Sequence, residues 1–438
     1  MNIDDCILIS TDDHIVEPPD MFDGRVPRRY VDKAPRFVTR DDGANVWVYE
    51  GHEIETWALN AVAGRPPEEW GCEPQSYDDV RPGVHDVHAR VNDMSANGAW
   101  AALNFPTFPS FAGSLFSVFA HRDPAQAVAM VRAYNDWHLE AWCGAYPDRF
   151  IPCCITPFFD LDAMVDEVRR VADLGCHAVT FMGHPQPFPS LFTDHWERFW
   201  AVCQDLDVVV CMHLFAGASV INMVGSIDDP PPLPPPEPPR VGLGYVGISA
   251  TPGSPPAVGA DLLNAHVFER FPRLKVAFSE GGIGWMPYFL EHIDTRVRHH
   301  GTWTGMDFGG RLPSEIFKQH VFGCFIEDRV GVASLEWLDV DMIGWESDYP
   351  HSDGNWPNAP ELLAESLVGL PDDVVRKITH ENAARYFSFD PFSRRRPAEC
   401  TVGALRAEVA DWDTATESRF KPRASRTEFS ALSGSRVR

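Results

Sequence analysis

Eight short apolar runs, separated by longer amphipathic stretches, constrain the fold of this 438-residue chain more than any other feature. They fall at 6–11, 99–104, 151–156, 177–181, 207–213, 274–279, 321–326 and 341–347. Short apolar runs alternating with helical stretches favour a parallel sheet with crossover helices. Helical periodicity is clear over 124–145, where AQAVAMVRAYNDWHLEAWCGA keeps apolar residues at three- and four-residue spacing, and recurs over about 161–174 and 195–205. Eight strands are the number that closes a (β/α)8 barrel. The expected fold class is therefore α/β, a TIM barrel.

Insertions distort that barrel. One, about 23–84, lies between the first two strands: NVWVYEGHEIE (45–55) reads as a hairpin, and RPPEEWGCEPQSYDDVRPG as a loop before a helix that begins near His85. A second, about 225–258, contains DDPPPLPPPEPPRVG (228–242), whose prolines forbid helix and central strand and favour extended polyproline II. It follows the fifth strand, on the side where loops build a barrel's active-site mouth, and reads as a surface loop or as part of a lid. Residues 1–394 are expected to form the barrel domain. The polar segment 395–438 is expected to be an arm packing on another subunit, in a homo-oligomer such as a dimer, or a partly disordered extension.

Charge narrows the partners. Lys and Arg number 37 against 63 Asp and Glu, a formal net charge of -26. Such a surface repels nucleic acid and anionic membranes, and leaves a small molecule as the expected partner. An anionic substrate stays admissible, because a bound divalent cation dominates the field of a pocket. No run reaches the roughly 20 apolar residues of a membrane span, and Met1-Asn2-Ile3-Asp4-Asp5 lacks the basic start of a signal peptide. A cytoplasmic location is expected. The ten cysteines include no CxxC pair and read as buried thiols.

The strand ends carry chemistry. LISTDDHIVE (8–17) leads from an apolar run into Asp12, Asp13 and His14, and alternate residues of a strand share a face, so Asp12 and His14 point the same way. An acid beside an imidazole suits a divalent metal. His213 ends the run Val208-Val209-Val210-Cys211-Met212 and is expected to face the same pocket as a third ligand. Asp348 follows the eighth strand.

A first strand giving Asp-X-His, a middle strand giving His and a late strand giving Asp resembles the amidohydrolase superfamily. The resemblance is to the amidohydrolase-related branch, amidohydrolase family 2, whose members include decarboxylases like aminocarboxymuconate-semialdehyde decarboxylase. It runs from about residue 5 to 390 through STDDHIVEPPDMF, LNFPTFPSFAG, AYNDWHLEAWCGAYPDRFIP, GCHAVTF, LKVAFSEGGIGWMPYFLE, GWESDYPHSD and ITHENAARYF. It implies that Asp12, His14, His213 and Asp348 bind a divalent cation, with Asp348 also handling the proton of the attacking water or of the substrate. Two His and two carboxylates suit Zn, Mn or Fe.

The chain departs from that pattern where LKVAFSEGG places Glu280 at the end of the sixth strand, the place of a histidine in the decarboxylases. A carboxylate there can bind metal or act as a base, and Glu280 with Asp12 or Asp348 would suit a second metal. His351 is expected to face substrate beside Asp348. Asn104, Phe105, Phe108, Thr180, Phe181 and His184 lie at or just past strand ends and are expected to line a pocket for an aromatic or cyclic compound. Glu17, on a rigid Pro-Pro loop, reads as an acceptor that orients His14 or as a solvated acid. The leading expectation is a metal-dependent hydrolase of a small ester, thioester, amide or acid, with Asp348 as base. The alternatives are non-oxidative decarboxylation and a non-catalytic binding protein on the same barrel.

Overall fold

Among the described residues eleven strands form, in chain order: β1 Leu8–Ile15, β2 Arg36–Thr39, β3 Asn45–Tyr49, β4 His52–Ile54, β5 Ala99–Pro106, β6 Phe150–Ile151, β7 Ala178–Thr180, β8 Val209–His213, β9 Lys275–Ser279, β10 Val321–Phe325 and β11 Ile343–Trp345. They belong to a computed structural model that describes residues 2–71, 73–183, 188–213 and 254–419. Eight strands pair in one sheet in the order β6-β5-β1-β11-β10-β9-β8-β7, and every pairing in it is parallel. The two outer strands meet as well. Just past β6, Cys154 bridges Val179 of β7, its N–H donating to the Ala178 carbonyl at 3.0 Å. The fold is the expected α/β TIM barrel.

The interior is filled by alternate residues of successive strands. Leu103 and Phe105 of β5, Val209 and Cys211 of β8, and Phe322 and Cys324 of β10 belong to one buried cluster, the layered filling of a closed barrel. Tyr386, whose hydroxyl lies 2.8 Å from the His320 carbonyl, seals the end where β10 begins. That leaves the opposite end, where the strands finish, for chemistry.

The expected hairpin is present as β3 and β4, with β2 completing a three-stranded antiparallel sheet. The helix expected over 124–145 runs regularly over Pro124–Trp137 and then widens into a π turn at His138–Trp142. There His138 Nε2 accepts the Cys153 N–H at 3.3 Å, so the histidine is structural. The described part of the tail straps its own barrel: the Val402 N–H donates to the Cys6 carbonyl at 2.9 Å, and the Trp412 indole donates to Asp93 Oδ1 at 2.7 Å. The proline-rich stretch 228–242 and residues 420–438 lie outside the described residues.

Candidate metal centre

A break in strand alternation aims the first two candidate ligands. Ile9 faces the barrel interior, so unbroken alternation would turn Thr11 and Asp13 inward. A register shift between Ser10 and Asp13 in the pairing with β5 resets the phase. Ser10 Oγ then donates to Asp13 Oδ1 at 2.8 Å, and Asp12 and His14 take the interior.

His213, in phase with Val209 and Cys211, brings Nε2 to 3.1 Å from His14 Nε2 and 3.3 Å from Asp12 Oδ2. His14 Nε2 lies 3.4 Å from Asp12 Oδ1 and 3.3 Å from Asp348 Oδ1. The loop after β11 is held to β1 by the Asp348 N–H, which donates to the Asp12 carbonyl at 2.8 Å, and Asp348 turns inward on a left-handed backbone with φ 52°. All four residues are buried. None of the four carboxylate oxygens of Asp12 and Asp348 accepts a well-aligned hydrogen bond. Two imidazole nitrogens facing each other at this distance cannot both carry a proton inward. Lone pairs and anionic oxygens turned on one point fit a divalent cation of the Zn, Mn or Fe type.

The electrostatics agree. Burial, then the charges of Glu346, Asp348 and Asp13, push the Asp12 carboxyl well above the ordinary range. Burial holds His14 well below it, in the neutral form that a ligand needs. For Asp348 burial works upward, but the His351 charge and the close approach of the His14 and His351 ring nitrogens outweigh it and hold the carboxyl below the usual range.

Glu280 joins this centre. It follows β9 on a left-handed backbone with φ 58°, and its Oε2 lies 3.6 Å from His213 Nε2. Burial and the charges of Asp348 and Asp12 push its carboxyl well above the usual range. Its N–H donates at 3.0 Å to Oε2 of Glu346, a buried acid that sequence reasoning passed over. Glu346 also accepts the Cys324 thiol at 2.7 Å, and burial raises it to about 7 against those two hydrogen bonds. The available signal was its place two residues before Asp348 in GWESDYP.

His351 also reaches the centre, with Nδ1 3.0 Å from Asp348 Oδ1 and its ring centroid 3.9 Å from that of His14. Phe105 sets its ring edge-on to His213 at 4.9 Å. Phe111, also missed, lies 4.1 Å from His213 and 4.9 Å from His14 between ring centroids. Thr180, in phase with the inward Ala178, keeps a buried hydroxyl without a hydrogen-bond partner.

Three expected pocket residues lie elsewhere. Asn104 is out of phase with Phe105, so it faces the helical layer and accepts the Trp142 indole N–H at 2.8 Å. Phe108 stacks on Trp47 of the inserted sheet at 4.4 Å. Phe181 packs among Trp196, Phe199 and Trp200 beneath a helix. His184 lies outside the described residues. Glu17 does not orient His14 either; it accepts the backbone N–H groups of Thr107 at 2.9 Å and Phe108 at 2.8 Å, and burial lifts its carboxyl to about 8. It thereby fixes the loop that carries Phe111. Glu17→Ala strands both buried donors, each worth about 1–3 kcal/mol. A loss of about 2–6 kcal/mol in urea unfolding is expected, and a change under about 1 kcal/mol would mean that the loop finds other acceptors.

The amidohydrolase family model matches residues 44–389, a span that begins after β1. Among relatives, the gamma-resorcylate decarboxylase of Rhizobium sp. (strain MTP-10005) is 27% identical over 293 residues, 63% of this chain and 80% of that protein. Among solved structures, 5-carboxyvanillate decarboxylase LigW from Sphingomonas paucimobilis aligns with a TM-score of 0.60 at 18% identity, covering 88% of this chain and 99% of that one. The dihydroxybenzoic acid decarboxylase of Polaromonas sp. JS666, solved with bound manganese and the inhibitor 2-nitroresorcinol, aligns with a TM-score of 0.56 at 16% identity, covering 87% of this chain and 97% of that one. Both structures share the barrel. Among the described residues no helix is long and apolar enough to cross a membrane.

Proposed function

Because the chain belongs to the amidohydrolase family, in the branch of the aminocarboxymuconate-semialdehyde-decarboxylase-like enzymes, we propose that it is a metal-dependent decarboxylase of a small aromatic hydroxy acid. One observation carries this: the chain aligns with 80% of the length of a gamma-resorcylate decarboxylase. Decarboxylation thereby takes precedence over the hydrolysis expected first. Asp12, His14, His213 and Asp348 would hold a divalent cation, which would supply positive charge for a substrate carboxylate and its neighbouring hydroxyl.

The remaining work falls to the chain. Phe105 and Phe111 flank the two ligand histidines and offer an apolar wall for an aromatic ring. Asp348, held ionised and with His351 Nδ1 at 3.0 Å from its Oδ1, takes the proton of the substrate's hydroxyl and delivers it to the ring carbon as the carbon–carbon bond to the carboxylate breaks and carbon dioxide leaves. Hydrolysis is the second reading, favoured by Glu280 at 3.6 Å from His213, where a carboxylate can serve as base to water.

A substrate panel separates the two. Protein reconstituted with Mn²⁺ is given ortho-hydroxy aromatic acids alongside matched aryl esters and thioesters. Carbon dioxide release from members of the first group is the expected result. Cleavage of the esters or thioesters without any carbon dioxide release would replace the decarboxylase reading with hydrolysis.

A further inference from the structure

Carboxylates crowd one side of the centre without cationic partners. Glu280, Asp348 and Asp353 each bring an oxygen within 4.8 Å of the others. Asp348 also belongs to a group with His14 and His351, so it stands between two sets of donors. It is fully buried, and neither of its oxygens accepts a well-aligned hydrogen bond. Among the described residues, the ion pairs of Asp12, Glu280 and Asp348 involve only His14, His213 and His351. One divalent cation offsets two negative charges, whereas Asp12, Glu280, Glu346, Asp348 and Asp353 bring five carboxyl groups into the same region. Ionised carboxylates this close repel one another unless a cation stands between them.

The backbone brings this trio together deliberately. Glu280 is turned by the hydrogen bond of its N–H to Glu346. Asp353 is returned towards Asp348 by a tight loop, in which the His351 N–H donates to the Asp348 carbonyl at 2.9 Å and the Gly354 N–H to the His351 carbonyl at 3.1 Å. A Cβ at position 354 would sit 2.8 Å from the Ser347 carbonyl oxygen and 2.9 Å from that of Asp348. Only glycine closes that loop.

We propose that Glu280, Asp348 and Asp353 hold a second divalent cation, with Asp348 shared between it and the first. The donors are all oxygens, so the ion is a hard one, Mn²⁺ or Mg²⁺, whereas the mixed nitrogen and oxygen donors of the first centre also take Zn²⁺ or Fe²⁺. Asp353 is solvent-exposed, which gives the second ion a path to exchange. The inference rests on the reading of Asp12, His14, His213 and Asp348 as the first centre and is independent of the reaction catalysed.

The test is metal counting on the full chain, purified without chelator, dialysed against Mn²⁺ and desalted. Elemental analysis should give about two Mn per chain, and electron paramagnetic resonance should show exchange coupling through the shared carboxylate. Asp353→Asn should fall to about one Mn with an uncoupled spectrum and an unchanged circular dichroism spectrum, and Glu280→Gln should do the same. One Mn in the unmodified protein would overturn the second site alone. None would overturn both centres, and two Mn retained in both variants would overturn the ligand assignment.

Discussion

Asp348→Asn is expected to lower turnover by a factor on the order of 10² or more, the scale of a positioned acid or base, while the protein stays folded. The substitution isolates charge from shape. Asn matches Asp in volume and tolerates the left-handed backbone that position 348 adopts at φ 52° better than most residues. The N–H that holds the loop to the Asp12 carbonyl is untouched. The loss falls on the carboxylate oxygen that His14 and His351 approach at 3.3 and 3.0 Å, which an amide replaces with a neutral acceptor or with a donor facing nitrogen. Steady-state turnover measured beside a thermal melt checks this, and near-normal turnover in a folded variant would refute the role given to Asp348.

The barrel was legible because its signal is redundant. Each apolar run predicted a strand that formed within a few residues of its place, since burial on both faces leaves a strand little freedom over composition. The convergence of Asp12, His14, His213 and Asp348 was legible for a different reason: all sit at or just past strand ends, where the fold concentrates side chains on one mouth. Phase was harder to read. Asn104 and Phe181 lie near strand ends as Phe105 and Thr180 do, yet they point into the helical layer, and Phe108 is drawn away by Trp47 of the inserted sheet. Even the correct pairing of Asp12 with His14 depended on a register shift that no period-two count contains. Glu346 was invisible because its partners, the Cys324 thiol and the Glu280 N–H, come from other strands. Glu17 shows the same limit. Its Pro-Pro setting suggested a link to His14, and its carboxylate instead holds the loop after β5.

His213→Ala should abolish the first centre, and the clearest readout is a stability difference. Its Nε2 stands 3.1 Å from His14 Nε2 and 3.3 Å from Asp12 Oδ2, so the ring offers a donor there that alanine lacks. Metal affinity should fall by more than the roughly 10–100-fold typical of losing a supporting residue, and turnover should fall with it. The ring also packs on Phe111 and Phe105, so the variant loses some stability for reasons unrelated to metal. Comparing melts with and without chelator cancels that term. At free Mn²⁺ near 100 times its dissociation constant, the unmodified protein should gain about 2.7 kcal/mol from the ion, and chelator should remove the gain. In His213→Ala the chelator-induced drop should be smaller by about that amount. An equal chelator-induced drop in both proteins would place the cation away from His213 and dismantle the centre built on it.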